Sequence, residues 1–365
     1  MSFSPDRVIM MLFAVCLVIG AFDHFRGDKW GLGERFRAGL QTFPTLFLSM
    51  AGFIVLTPLL GKTLAPVAAP LYTAIGADPA MFAGTILAND NGGYPLAQAL
   101  ALDPRAADLG GMILGSILGV NFVFTLPAGM QMVGRENRRF LFTGLLLGLV
   151  TVPLGFVCGG LAAGFPVSLI AWQLPPIVLI ATAAGLMLWL IPEKLAAFLG
   201  VFGKCIEAVA LFGAVLGIVV SICGLKVKGL ETVENALIVV GLIAVVLPGV
   251  YVFTTLLERG FRKPLNRLGE KLRINDCALL GMITALANDI PTLLMVKDMD
   301  DRGKLMNCAF LTGGAFALGD HLAFCGAVAP KLIVPLLAAK LIAAVSTAFL
   351  AAVYLRYLER RGKQI

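Results

Sequence analysis

Two short polar runs carry the residue types from which a binding site can be built. The first is Asn89-Asp90-Asn91-Gly92-Gly93-Tyr94-Pro95, and the second is Asn288-Asp289-Ile290-Pro291 with Thr292 directly after it. A carboxylate flanked by amides offers an anion to a cation, and both donors and acceptors to a hydroxyl group. Tyr94 adds a ring face on which a cation can rest. Asp320 and His321, adjacent in the chain, complete the candidate solute-binding set, either paired with each other for structure or as a proton relay. Lys340 is placed to neutralise one of these carboxylates, a structural role. The plainer alternative for Asp90 and Asp289 is helix capping, which Asp and Asn side chains commonly perform.

These residues stand out because of what surrounds them. The chain has 365 residues, of which 59% are hydrophobic and only 14% charged, and its mean hydropathy is +0.90. A soluble domain usually carries about 25% charged residues. The stretches Phe43–Leu60, Leu109–Val133, Phe140–Pro192 and Asn235–Leu257 contain no charge at all. A crossing helix needs roughly 20 apolar residues, so each is about long enough to span a bilayer, and Phe140–Pro192 could do so twice. The expectation is an all-α polytopic membrane protein. The run Val8–Phe22 follows Asp6 and Arg7 as a signal peptide would, but no small-residue cleavage site follows it, so it reads as the first helix. In such a chain an Asp at the bilayer centre costs roughly 2.5–3.5 kcal/mol, which makes each buried Asp a functional candidate by default.

Other classes recede. The formal charge of +7 fits Lys and Arg gathered in cytoplasmic loops, with no need for nucleic acid. Seven cysteines are scattered singly and the chain has only two histidines, His24 and His321. Neither a disulfide framework nor a metal site is indicated, and no cofactor is expected.

The two polar runs are also copies of one another. Leu87-Ala88-Asn89-Asp90 recurs as Leu286-Ala287-Asn288-Asp289, 199 residues later, and the same offset carries Gly115 onto Gly314 and Asn121 onto Asp320. Five apolar elements flank each copy in the same order. The division that follows is a first repeat over 1–165, a connector helix over 166–192 and a second repeat over 193–365. Charge decides the orientation of the repeats. If Pro79–Leu102 and Cys277–Val296 are re-entrant hairpins, 22 Lys and Arg residues fall on one side and six on the other, with Lys340 inside a span. If both segments cross instead, the basic residues split almost evenly, against the positive-inside rule. The hairpin reading makes the repeats inverted and puts the C-terminus in the cytoplasm. Inverted repeats whose interrupted helices meet near the midplane are the architecture of secondary transporters. Gly111, Gly115 and Gly119 form a doubled GxxxG expected to serve close helix packing.

Carboxylates and amides with few cations nearby favour a small cationic or hydroxyl-bearing solute. At this point the chain resembles the EutH family, the ethanolamine permeases of ethanolamine-utilisation operons. The resemblance is carried by Ala77–Ala97 (ADPAMFAGTILANDNGGYPLA), with Gly31–Phe36 (GLGERF), Ala287–Pro291 (ANDIP) and Gly319–Phe324 (GDHLAF). It implies uptake of ethanolamine across the bacterial inner membrane by a protein that is not an enzyme, with ethanolamine and the lipid bilayer as its partners, and leaves a homo-oligomer open. A sodium- or proton-coupled carrier of another polar solute fits the paired Asn-Asp motifs as well. An intramembrane aspartyl protease fits poorly, since Ala317-Leu318-Gly319-Asp320 lacks the first glycine of GxGD.

Overall fold

The computed structural model describes residues 5–362, the side chains of residues 258 and 261–270 excepted. Arg262, Lys263, Arg267 and Lys363 of the charge count therefore lie outside the described residues. Among the described residues every regular element is helical. In chain order these are α1 (Pro5–Phe25), α2 (Gly33–Thr73), α3 (Ala80–Ile86), α4 (Tyr94–Leu100), α5 (Pro104–Met132), α6 (Arg135–Ala162) and α7 (Val167–Leu190). There follow α8 (Pro192–Ile222), α9 (Val233–Leu272), α10 (Asp276–Ala287), α11 (Asp289–Met295), α12 (Asp301–Gly314), α13 (Asp320–Val328) and α14 (Ile333–Arg360). Eight helices among the described residues are long and apolar enough to cross a membrane: α1, α2, α5 to α8, the first part of α9, and α14 with its leading turn.

The apolar surface is distributed as a bilayer requires. Phe22, Trp189, Phe198, Phe212 and Phe349 point outward, which a water-facing surface would rarely tolerate in such density. The most apolar stretch of α5 is 89% buried within the protein, whereas those of α1 and α8 are 22% buried. α5 is thus the central element, and its composition explains how. Its glycines let backbone meet backbone: a methyl group at Gly115 would lie 3.0 Å from the Asn89 nitrogen, and one at Gly119 would collide with the Leu87 carbonyl. The doubled GxxxG therefore serves as the seat of the first polar run. α5 also contains wide i→i+5 turns over Asp108–Gly119 and Asn121–Thr125, a geometry that recurs at functional sites.

Both polar runs lie where the chain doubles back. At the start of α3, Asp78 accepts hydrogen bonds from the backbone nitrogens of Leu102 (3.1 Å) and Asp103 (2.9 Å) beyond the end of α4. Residues that far apart in one straight helix would be separated by roughly 36 Å. The α10–α11 pair closes in the same way, with Asp300 Oδ1 accepting from the Asn275 nitrogen at 2.8 Å. Each clasp residue also caps a helix, as the free N–H groups of a first turn demand. Asp103 accepts from Arg105 N, Asn275 from Ala278 N and Asp300 from Gly303 N. The Arg105 guanidinium, bonded to Asp103, holds that carboxyl below its usual range.

Two stretches depart from simple spans. Met306–Pro330 is mainly apolar, interrupted by Asp320 and His321, but is not one helix, because Ala315–Gly319 is unwound between α12 and α13. The apolar run that begins near Glu207 belongs to a helix that starts earlier, at Pro192, so Lys204, one of the 22 basic residues assigned to one side, lies within α8.

Candidate functional site

The first tip is an unwound segment. Leu87 and Ala88 are extended, and Gly92 sits at φ +87°, a conformation that favours glycine. A side chain there would also meet the Phe53 ring, 2.6 Å away. Asn89 is fully buried; its amide donates to the Met112 sulfur at 3.5 Å and its Oδ1 has no partner. Asp90 Oδ1 faces His321 Nε2 at 3.7 Å, longer than a direct hydrogen bond, and is likewise unpartnered. Asn91 lies on the wall of a cavity of about 430 Å³, with Phe53, Phe124, Ser49 and Glu207.

The second tip is simpler. Asn288 is extended and its side chain accepts from the Ile290 nitrogen at 2.9 Å, so Asn288 and not Asp289 caps α11. That frees the Asp289 carboxylate, which is fully buried. Its Oδ2 accepts from the Thr125 hydroxyl at 3.1 Å, and its Oδ1 has no partner. Thr292 donates to the Gly281 carbonyl at 2.8 Å, spending its hydroxyl on closing the turn.

The unwound stretch before α13 hooks onto this tip. Phe316 N donates to Ala285 O and Leu318 N to Leu286 O, while Phe316 adopts φ +59°. For a bulky residue that conformation costs about 1–3 kcal/mol and tends to be held only where the surroundings impose it. Here it sets the Phe316 ring against His321, 5.2 Å between centroids, and against Phe124 at 5.4 Å. Asn121 ties α5 to the end of α12 by donating to the Thr312 carbonyl, and the Oδ1 of Asn121 and the Oγ1 of Thr312 are unpartnered too.

Lys340 reaches the centre from α14. It is fully buried, its Nζ donating to the Ser116 carbonyl at 2.6 Å and contacting His321 Nδ1 at 3.1 Å. With Lys340 as an ammonium, which has donors only, Nδ1 accepts and the ring proton sits on Nε2, facing Asp90. Lys340 also interacts electrostatically with both Asp90 and Asp289.

The structure thus brings Asn89, Asp90, Asp289 and His321 to one interior region, and re-partners several expected residues. His321 does not pair with Asp320: neighbours on a helix do not face each other, and Asp320 instead lies 3.4 Å from the Tyr251 hydroxyl. Lys340 reaches Asp90 through His321 and not by direct contact. Tyr94 donates to Asp108 at 2.8 Å and packs edge-on against Phe324, so its hydroxyl is already engaged. The sequence does not single out Ser116, Thr125, Phe316 or Glu207, and marks Asn121 only as the repeat counterpart of Asp320. Only Glu207, a carboxylate inside an apolar run, carried a usable signal there.

Comparison with known proteins bears on what this interior is for. The family model for the ethanolamine utilisation protein EutH matches residues 6–355. A protein of Listeria monocytogenes named probable ethanolamine permease EutH is 42% identical, covering 94% of this chain and 92% of its own length. The Escherichia coli protein of that name is 39% identical, with 93% and 89% covered. An uncharacterized Bacillus subtilis protein, YxeR, is 39% identical over 95% and 94%. No solved structure matches the chain. The match of family model and relatives along nearly the whole chain means that this protein belongs to the EutH family.

Proposed function

We propose that the protein is a permease of the bacterial inner membrane that carries protonated ethanolamine, with its site between the Asn-Asp tips. The observation that carries this reading is the pair of buried carboxylates at two helix breaks, each with an oxygen left unpartnered. Non-helical backbone and bare carboxylates at membrane depth are tolerated where they line a cavity or are buried in protein. Ethanolamine supplies what they lack: an ammonium for Asp90 or Asp289, and a hydroxyl for the Asn89 amide oxygen. The names of the relatives point to the same solute and to a transporter in place of an enzyme. The Asn91 cavity, mainly apolar but with Thr45, Ser49 and Glu207 also on its wall, opens beside the first tip. The test is counterflow of labelled ethanolamine in proteoliposomes of the purified protein. Uptake should be driven by unlabelled ethanolamine inside and abolished by excess ethanolamine outside; counterflow no greater than in empty vesicles would refute the reading.

The topology that suits this function has the α3–α4 and α10–α11 hairpins dipping into the bilayer from opposite faces, within inverted repeats that meet at their tips. The clasps at Asp78 and at Asn275–Asp300 support it, because they hold the two ends of each hairpin together. This arrangement leaves the C-terminus in the cytoplasm. A C-terminal alkaline phosphatase fusion should therefore be inactive, and a green fluorescent protein fusion bright; the reverse pattern would overturn the topology.

A further inference from the structure

The interior holds one group that a solute-binding role alone does not use, the primary ammonium of Lys340. We propose that Lys340 is the resident counter-cation of the hairpin site. In this view it balances Asp90 and Asp289 when no solute is bound, and stands in for the sodium ion that a carrier with such a site would otherwise co-transport. The proposal rests on the permease reading and deepens it, since it assigns the driving mode of the same site.

The geometry supports this on three counts. First, Lys340 is fully buried and anchored at one edge of the site, on Ser116 O at 2.6 Å and His321 Nδ1 at 3.1 Å. An ammonium buried this deeply persists only with compensating anions. The nearest is Asp90, whose Oδ1 lies 3.7 Å from Nε2 of the same His321, and Asp289 of the other hairpin adds its charge at longer range. The remaining titratable groups facing this region are His321 and Asp320 of α13. Second, the oxygens left bare, Asp90 Oδ1, Asp289 Oδ1 and Asn89 Oδ1, are the hard ligands an alkali or alkaline-earth ion takes. With Lys340 present, the charge such an ion would supply is already there. Third, the solute and Lys340 carry the same functional group. Arrival of one ammonium at the carboxylates relieves the other, so the loaded and the empty site can each exist without an additional ion.

The test reads sodium binding directly and needs no transported solute. Thermal unfolding of the purified protein is compared in sodium chloride and in equimolar N-methyl-D-glucamine chloride. The wild type and Lys340→Arg should unfold at the same temperature in both salts. Lys340→Met should gain about 2 °C in sodium once the ion is roughly tenfold above its dissociation constant. In proteoliposomes, uptake by the wild type should be independent of a sodium gradient. A sodium shift of equal size in wild type and Lys340→Met, or none in Lys340→Met, would overturn the proposal. If Lys340→Met does not fold, the double variant Lys340→Met/Asp289→Asn, which removes a carboxylate with the cation, should fold again. Failure of both would assign Lys340 to packing and overturn the proposal as well. Because melting involves no ethanolamine, a chain that fails counterflow but shows the sodium pattern would refute the solute and not the counter-cation.

Discussion

Replacing Asp90 by asparagine should abolish ethanolamine uptake while leaving the protein folded. The substitution keeps the size of the side chain and its capacity to accept a hydrogen bond, and removes only the charge. The Asp90 side chain is 13% exposed, its Oδ1 has no hydrogen-bond partner, and Asp289 remains to balance Lys340, so the fold should tolerate the loss of this one charge. A buried charge that loses its counterpart costs about 2–5 kcal/mol in binding, which is about 30-fold or more in affinity. Asp289→Asn should behave alike, since asparagine can still accept the Thr125 hydrogen bond. The measurements are initial uptake rates in proteoliposomes and the melting temperature of each variant. Near-normal transport by both variants would return the two residues to a structural role.

The second large effect is one of medium and not of mutation. A primary amine with the pKa of lysine, about 10.4, is almost wholly protonated at neutral pH, and each unit of lower pH cuts the neutral fraction about tenfold. Only the neutral form crosses lipid unaided, because a bare charge in hydrocarbon is costly. Between about pH 8.5 and 5.5 the unassisted flux should therefore fall about a thousandfold, whereas a site built on carboxylates takes the ammonium that remains. On limiting ethanolamine as nitrogen source, cells lacking the gene should grow nearly normally in alkaline medium and poorly in acidic medium. Abundant ethanolamine should erase the difference. A deficit equal across the whole range would mean that the protonated amine is not what the protein carries.

What could be read from the residues beforehand follows a physical division. The apolar spans and the two Asn-Asp breaks were legible because polar, helix-breaking residues in an apolar chain are costly and so conspicuous. The seat under the first tip was half legible: Gly111, Gly115 and Gly119 announce close packing, but not what approaches them. Partners across the fold were not legible. Asp320 and His321 look like a pair in the chain, yet successive residues on a helix diverge, and His321 serves Asp90 and Lys340 instead. Thr125 and Ser116 are ordinary residues in an apolar helix, and only the doubling back of the chain brings Asp289 to the first and Lys340 to the second. The clasp residues Asp78 and Asp300 read as loop acids, since nothing in their local sequence states that two distant ends must meet.

The position of Lys340 also has a consequence for how the molecule is made. Ribosomes deliver the chain from the N-terminus, and domains form in that order as it emerges. The first tip is complete at Pro95, yet its seat, Gly111 to Gly119, is synthesised only afterwards, and α14, which carries Lys340, follows both hairpins. The first hairpin therefore waits roughly 245 residues for this counter-charge, and the second, complete only at Met295, about 45. The step that brings Asp90 and Asp289 under one ammonium is the arrival of α14, so the interior is assembled only after both hairpins have been made.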